Sequence, residues 1–233
     1  MDTFEKMLDE AWRVTVLTGA GVSTASGIPD FKSLDNAWPY PERRERMISR
    51  SYFHQNPKLF WECYRDLFGA KLQAEPNAVH RWIAELGERK LVRVLTQNVD
   101  RLHQAAGSDE VLELHGNATE AVCVRCGARY SMEELKVEAT PRCRVCRKML
   151  KPDTVLFGEP VKSMEDAQRV LRTTDLLLVM GTALEVYPVA SLPLYAKENA
   201  GAKLVWVSNT PAPEEFDFDL SFEEDLTNFV HRY

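Results

Sequence analysis

The sequence lacks any run of about 18 apolar residues, the length an α-helix needs to cross a bilayer. It also lacks the basic and then apolar opening of a secretory signal, because MDTFEKMLDEAW is acidic and amphipathic. These two absences predict a soluble, cytoplasmic protein without a membrane partner. Positive charge is in deficit too: 35 Asp and Glu against 29 Lys and Arg leave a net charge of −6. A chain whose main task is neutralising nucleic-acid phosphates needs the opposite balance, so no direct nucleic-acid binding is expected. The one basic stretch, from Cys123 to Lys151, reads as a solvated surface around a metal. Internal repeats and low-complexity segments are absent as well.

Cysteines are few, but four of the five form two Cys-x-x-Cys pairs, Cys123/Cys126 and Cys143/Cys146, separated by sixteen residues. Each pair offers two thiolates to one tetrahedral ion, and the intervening chain is long enough to bring the pairs together, so the spacing predicts a zinc ribbon. Four thiolates leave no open coordination position, which makes the site structural. Cys63 stands apart in PKLFWECYRDLF, where helical spacing of apolar residues predicts a buried position.

An apolar fraction of 45% is enough for an ordinary core. Strand-like runs at 13–18, 91–96, 111–114, 175–180 and 203–207 alternate with helical patterns. This predicts an α/β fold, a Rossmann-like doubly wound parallel sheet with ligands at the carboxyl ends of its strands. Two segments interrupt the alternation. A helical module at 34–75 and the four-cysteine module at 121–152 are expected to form a small inserted domain, with 1–33, 76–120 and 153–233 making the large one. After the last predicted strand, an acidic loop is expected to lead into a terminal helix over the final dozen residues.

Polar turns follow each strand. Gly19-Ala20-Gly21-Val22-Ser23-Thr24 comes after the first, with the glycines placed to let backbone N–H groups approach a pyrophosphate. The third glycine of the usual dinucleotide fingerprint is missing, Thr24 standing in its place. Gln97-Asn98-Val99-Asp100-Arg101-Leu102-His103 follows the second strand. His115 follows the third, with Gly116 expected to leave room for a substrate. Gly181-Thr182-Ala183-Leu184-Glu185-Val186-Tyr187 and Ser208-Asn209-Thr210 complete a rim that predicts a nucleotide crevice.

Together GAGVSTASGIPDF, TQNVDRLH, ELHGN, the two Cys pairs, KPDTVLFGE and GTALEVYP resemble the sirtuin family of NAD-dependent protein deacylases, over about 14–209. The resemblance implies a Rossmann domain with a small helical and zinc-ribbon domain, NAD and zinc as cofactors, and acylated-lysine proteins as substrates. In that family the acyl oxygen attacks the anomeric carbon of the nicotinamide ribose, which expels nicotinamide and forms an alkylimidate. Attack by the 2′-oxygen and then water gives free lysine and O-acyl-ADP-ribose.

By resemblance, His115 matches the general base, acting through the ribose hydroxyls, and a His suits that role because it is partly neutral near pH 7. Asn98 and Gln97 match residues holding the ribose and a water, and Asp100 with the Val99 backbone matches contacts to the nicotinamide carboxamide. Gly19, Ala20, Gly21 and Thr24 match the phosphate-binding turn, and Asp30, Phe31 and Lys32 the cofactor loop, with Phe31 covering the nicotinamide pocket. Gly181, Thr182, Ala183 and Asn209 match contacts to the adenosine half. Val155, Phe157, Gly158 and Glu159 on one side, with Glu185, Val186 and Tyr187 on the other, match the two edges that hold a substrate strand.

The chain departs from the family pattern in places. Lys32 replaces the usual Arg, Ala183 a common Ser, and the adenine loop beyond Asn209 is unrecognisable. Leu67 stands where succinyl- and malonyl-preferring members pair an Arg with the residue matching Tyr64, so uncharged acyl groups are expected. Two rival functions share these motifs: mono-ADP-ribosyl transfer to protein, and a non-catalytic NAD- or zinc-binding interaction module.

Overall fold

The computed structural model describes residues 2–30, 39–40, 43–69, 73–135 and 138–233. Its main sheet has six strands in the order β3-β2-β1-β7-β8-β9, every pair parallel. They are β1 (Arg13–Thr18), β2 (Leu91–Thr96), β3 (Val111–Glu113), β7 (Leu176–Met180), β8 (Lys203–Ser208) and β9 (Leu220–Glu223). Both faces of the sheet are covered at its centre, so β7 is a continuous apolar run with all five residues buried. Successive side chains go to opposite faces: Leu176, Leu178 and Met180 join one core with Val14, Val16, Ile83 and Phe229, while Leu177 and Val179 join the other with Leu17, Leu95 and Trp206.

Three of the helices around the sheet begin on side-chain caps. In α1 (Thr3–Glu10), Asp2 and Glu5 form a reciprocal capping box. Asn77 caps the later helix at Ala78–Leu86, and Asp225 caps the last one, at Leu226–Arg232, by accepting from the Thr227 and Asn228 N–H groups. In chain order the helices between these are α2 (Arg44–Met47), α3 (Arg50–Gln55) and α4 (Pro57–Phe68); Ala78–Leu86 is α5, then come α6 (Leu102–Ala105), α7 (Met132–Leu135), α8 (Met164–Leu171) and α9 (Leu192–Ala200), and Leu226–Arg232 is α10.

A second, antiparallel sheet of three strands carries the cysteines, in the order β5-β4-β6. Its strands are β4 (Gly116–Cys123), β5 (Arg129–Ser131) and β6 (Leu150–Thr154). The pairing of Gly116 with Thr154 brings its outer end to the polar rim of the main sheet. A third core joins Phe53, Phe60, Trp61, Tyr64 and Phe68 of α3 and α4 to Ala121, Cys123, Tyr130, Cys143 and Leu150. The helical and cysteine segments, far apart in the chain, thus bury one apolar surface between them. Cys63 lies fully buried in that core, as its helical spacing predicts, and burial pushes its thiol up to about 12.

The carboxyl end differs from expectation. Between the expected loop and the terminal helix lies β9, an edge strand whose Leu220 and Phe222 are half-buried while Ser221 and Glu223 face outward. Four residues flanked by acids give too short an alternation to read locally, and it is pairing with β8 that makes them a strand.

Candidate active site

Strand order reverses between β1 and β7, since β1 leads on one side to β2 and β3 and β7 on the other to β8 and β9. In such sheets the crevice opens at the carboxyl ends of the strands beside this point. A cleft there is lined by Gly21, Thr24, Asp30, Gly181 and Asn209, together with Asp225, Leu226 and Thr227 at the start of α10.

After β1 the chain enters a 3₁₀ segment, Ala20–Ser26, stopped by Gly27 at φ +81. Gly19 and Gly21 have a different immediate cause from the one expected. A Cβ on Gly21 would stand 2.8 Å from the Gly181 Cα, and one on Gly19 would stand 2.6 Å from the Thr182 Cβ. The Gly21 N–H already donates to the Gly181 carbonyl at 2.8 Å. The glycines therefore let two strand-end turns touch, and Gly181, at φ +60, meets them from the other side. Gly116 behaves likewise: at φ +69, its missing Cβ leaves room for the Asp153 carbonyl, which would otherwise stand at 1.9 Å, rather than for a substrate.

Beyond β2, Gln97 donates through Nε2 to Thr182 Oγ1 at 2.9 Å, tying two rim turns together. Asn98 Nδ2 donates to the Gly19 carbonyl at 3.0 Å and to Ser23 Oγ at 3.1 Å. Ser23 in turn donates to Asp100 Oδ2 at 2.7 Å, and the other Asp100 oxygen accepts from the Leu102 N–H. Behind Ser23 lies His80, fully buried, whose Nδ1 accepts from the Asn77 N–H and whose Nε2 faces Ser23 Oγ at 3.5 Å. Sequence reasoning missed Ser23, Asn77 and His80 as supports of Asn98 and Asp100. The capping signal Asn77-x-x-His80 was in the sequence, but nothing local said that it faces the first turn.

His115 sits in the turn between β3 and β4, and its Nδ1 lies 3.2 Å from the Gln97 carbonyl. A carbonyl only accepts, so Nδ1 carries the proton and Nε2 is left as the basic nitrogen. Burial lowers the His115 pKa below its ordinary 6.5, and the bond to Gln97 partly offsets this. The Val99 carbonyl accepts from the Ala118 N–H at 2.8 Å, which fixes the backbone on the other side of Asn98. Phe31 and Lys32 lie outside the described residues.

On the expected peptide edges, the loop after β6 carries Phe157, and the loop after β7 carries Val186 and Tyr187. All three are exposed, at 43%, 50% and 68%. They are three of the seven exposed large apolar side chains among the described residues. Glu159 behaves differently: its carboxylate turns inward to Lys151 Nζ at 2.9 Å.

The four thiols Cys123, Cys126, Cys143 and Cys146 come together with their sulfurs within 4.8 Å of one another. Four sulfurs about 2.3 Å from a tetrahedral zinc would stand about 3.8 Å apart, so this cluster fits the ion. Tyr130 packs against it with its hydroxyl 3.3 Å from the Cys143 sulfur.

Comparison with known proteins adds a family to this geometry. The model of the Sir2 family matches residues 19–188. An NAD-dependent protein deacetylase of Bacillus cereus is 41% identical over 236 residues, which cover 99% of this chain and 97% of the relative. A solved Sir2 structure with a p53 peptide and NAD+ superposes with a TM-score of 0.88 at 36% identity, covering 100% of this chain and 96% of the other. Another Sir2 structure holds an inhibitor, 2′-O-acetyl-ADP-ribose and a deacetylated p53 peptide, with a TM-score of 0.87, 36% identity and the same coverages.

Proposed function

Because the chain belongs to the Sir2 family, we infer that it is an NAD-dependent protein lysine deacetylase that passes the acyl group to ADP-ribose and releases nicotinamide. The observation that carries the reading is the His115 imidazole, held by the Gln97 carbonyl with Nε2 as its basic nitrogen. A binding module has no use for such a base.

When bound, NAD supplies the ribose carbon that takes up the acyl oxygen. The chain's own residues orient and move protons around it. Gly19, Ala20, Gly21 and Thr24 form the turn that faces the phosphates, with Asp30 beside them. Gly181, Thr182, Ala183 and Asn209 take the adenosine half, and the place of Gly181 and Asn209 in the cleft supports adding Asp225, Leu226 and Thr227 to the adenine end. Gln97 and Asn98 hold the ribose, while Asp100 and the Val99 backbone receive the nicotinamide amide. Asn98 and Asp100 are locked through Ser23, so they choose geometry rather than make bonds. Lowered by burial, the His115 pKa keeps the imidazole neutral near pH 7, and Nε2 accepts the ribose hydroxyl proton there.

The acyl-lysine segment lies as a strand between Val155, Phe157, Gly158 and Glu159 on one side and Glu185, Val186 and Tyr187 on the other. Backbone pairing of that kind tolerates many sequences. Zinc on the four cysteines fixes the small domain (34–75 with 121–152) against the large one, a division supported by its separate apolar core. A cytoplasmic site of action fits four reduced thiols, and no described helix is long and apolar enough to cross a membrane.

Incubating an acetyl-lysine peptide with the protein, with and without NAD, tests the reading by mass spectrometry. Loss of the acetyl mass only with NAD is expected, and gain of an ADP-ribosyl mass would instead establish transfer to protein. Leu67, buried beside Tyr64, leaves no Arg at that position to meet a carboxylate-ended chain. A succinyl-lysine peptide should accordingly turn over at least about tenfold more slowly than the acetyl one.

A further inference from the structure

The loop that follows β6 is held by a half-buried ion pair that the catalytic reading does not use. Lys151 Nζ lies 2.9 Å from Glu159 Oε2, and the two side chains keep only 13% and 17% of their exposure. The ammonium also donates to the Thr154 carbonyl at 2.7 Å and to the Pro152 carbonyl at 3.0 Å, so all three of its protons have acceptors. The same Glu159 oxygen accepts from the Leu156 N–H at 3.0 Å. Lys151 therefore reaches past the end of its own strand and closes the turn from Leu156 to Glu159.

Leu156 of that turn is buried in the core of the helical and cysteine segments, whereas Gly158, at φ +87 with open space where a Cβ would be, has no side chain to pack. At its two sides the turn connects to the rest of the site. Val155 N–H donates to the His115 carbonyl at 2.8 Å, and Phe157 exchanges backbone bonds with Ile48 and Arg50 of the helical segment at 3.3 and 3.0 Å. A change in the turn thus reaches the edge that displays Phe157, while the Val155 bond anchors the start of the turn to the main chain at His115. An ion pair taken out of water is costly, and retaining one here makes sense where a single loop geometry must be selected.

We propose that the Lys151–Glu159 pair is a positioning device for substrate binding, setting the turn 155–159 so that its edge receives the acyl-lysine strand. Glu159 acts through the loop rather than by touching the peptide with its carboxylate. The inference rests on the deacetylase reading and on the peptide lying along this turn.

The test is steady-state kinetics on full-length, zinc-loaded protein carrying Lys151→Met, Glu159→Gln or both. The acetyl-lysine peptide is varied at saturating NAD, and NAD is then varied at saturating peptide. Each single variant should raise the peptide KM about tenfold, with the NAD KM within about twofold and kcat within about threefold of wild type. The double variant should be no worse than the worse single one, because both remove the same interaction. If Lys151→Met does not fold, Glu159→Gln, equal in shape, carries the test alone. An unchanged peptide KM in an active protein overturns the proposal, and so does a joint loss of kcat, NAD affinity and thermal stability, which would mark a merely structural pair. A wild-type protein that removes no acyl group from the peptide overturns the deacetylase reading first, and this inference with it.

Discussion

The carbonyl oxygen of Gln97 accepts the Nδ1 proton of His115 across 3.2 Å, so a residue after β2 sets the tautomer of a residue after β3. Since the acceptor is main chain, its position depends on the strand pairing and not on a rotamer. The Leu114 N–H bonds to the Thr96 carbonyl at 2.9 Å, immediately before each of the two residues, and holds them in register.

Replacing His115 by Ala removes the proposed base while leaving the Gln97 backbone in place. Turnover of an acetyl-lysine peptide should fall about 10²- to 10⁴-fold with little change in zinc content. Burial lowers the His115 pKa, so the imidazole stays neutral to below pH 6.5 and protonates only as the pH falls further. In the wild-type protein the acid limb of kcat/KM should lie below 6.5, and a limb assigned to this group above that value would contradict the placement.

The contact between Gly21 and Gly181 separates two kinds of glycine. A Cβ at position 21 meets main-chain atoms of Gly181 at 2.8 to 2.9 Å, which cannot move without shifting a strand end. Gly21→Ala should cost about 1–3 kcal/mol in denaturant unfolding and raise the NAD KM as well. Gly27, at φ +81 with nothing within 4 Å of a Cβ, carries only conformational strain. Gly27→Ala should cost about 1–2 kcal/mol and leave the NAD KM close to wild type.

Beneath the cleft, His80 and His103 pack ring against ring with centroids 4.9 Å apart. Burial lowers the first to about 4 despite the attraction of Asp100, and it lowers the second to about 3, with His80 adding to the shift. Both are depressed below the unfolded value of 6.5, so between 6.5 and about 3 the unfolded chain binds more protons. Their contribution to stability is complete above pH 6.5 and is lost progressively as the pH falls toward 4 and then 3. The urea midpoint should drop between pH 7 and pH 4, and His103→Phe should flatten that slope; an equal slope in the variant would assign the acid sensitivity to other groups.

Zinc removal should loosen more than the ribbon. Cys123 and Cys143 belong to the same buried core as Trp61, Tyr64 and Phe68 of α4. Chelation, or Cys143→Ser, should therefore weaken the near-ultraviolet aromatic dichroism of the helical segment together with activity. Metal analysis of the untreated protein should give about one zinc per chain, as four thiolates around one tetrahedral ion require. Full activity after complete zinc loss would refute the structural role.

Much of this site was legible in the chain because its signals are local. A strand that runs apolar without interruption must be covered on both faces, as Leu176 to Met180 are, and cysteines paired at that spacing gather into one thiol cluster. The polar residues after each such strand were bound to collect on one rim. Phe157, Val186 and Tyr187, placed on the peptide edges by resemblance, do face outward.

What the sequence determined by itself was the type and order of the main elements, the thiol cluster and the histidine on the rim, since each follows from periodicity or spacing over a few residues. Tertiary structure alone decided what those residues do to one another. Gly21 and Gly116 make room for other backbone segments, His80 stands behind Ser23, Glu159 turns inward to Lys151, and Leu220–Glu223 becomes an edge strand. These outcomes depend on the approach of segments distant in the chain, and no local pattern encodes a distance between two turns until packing brings them together.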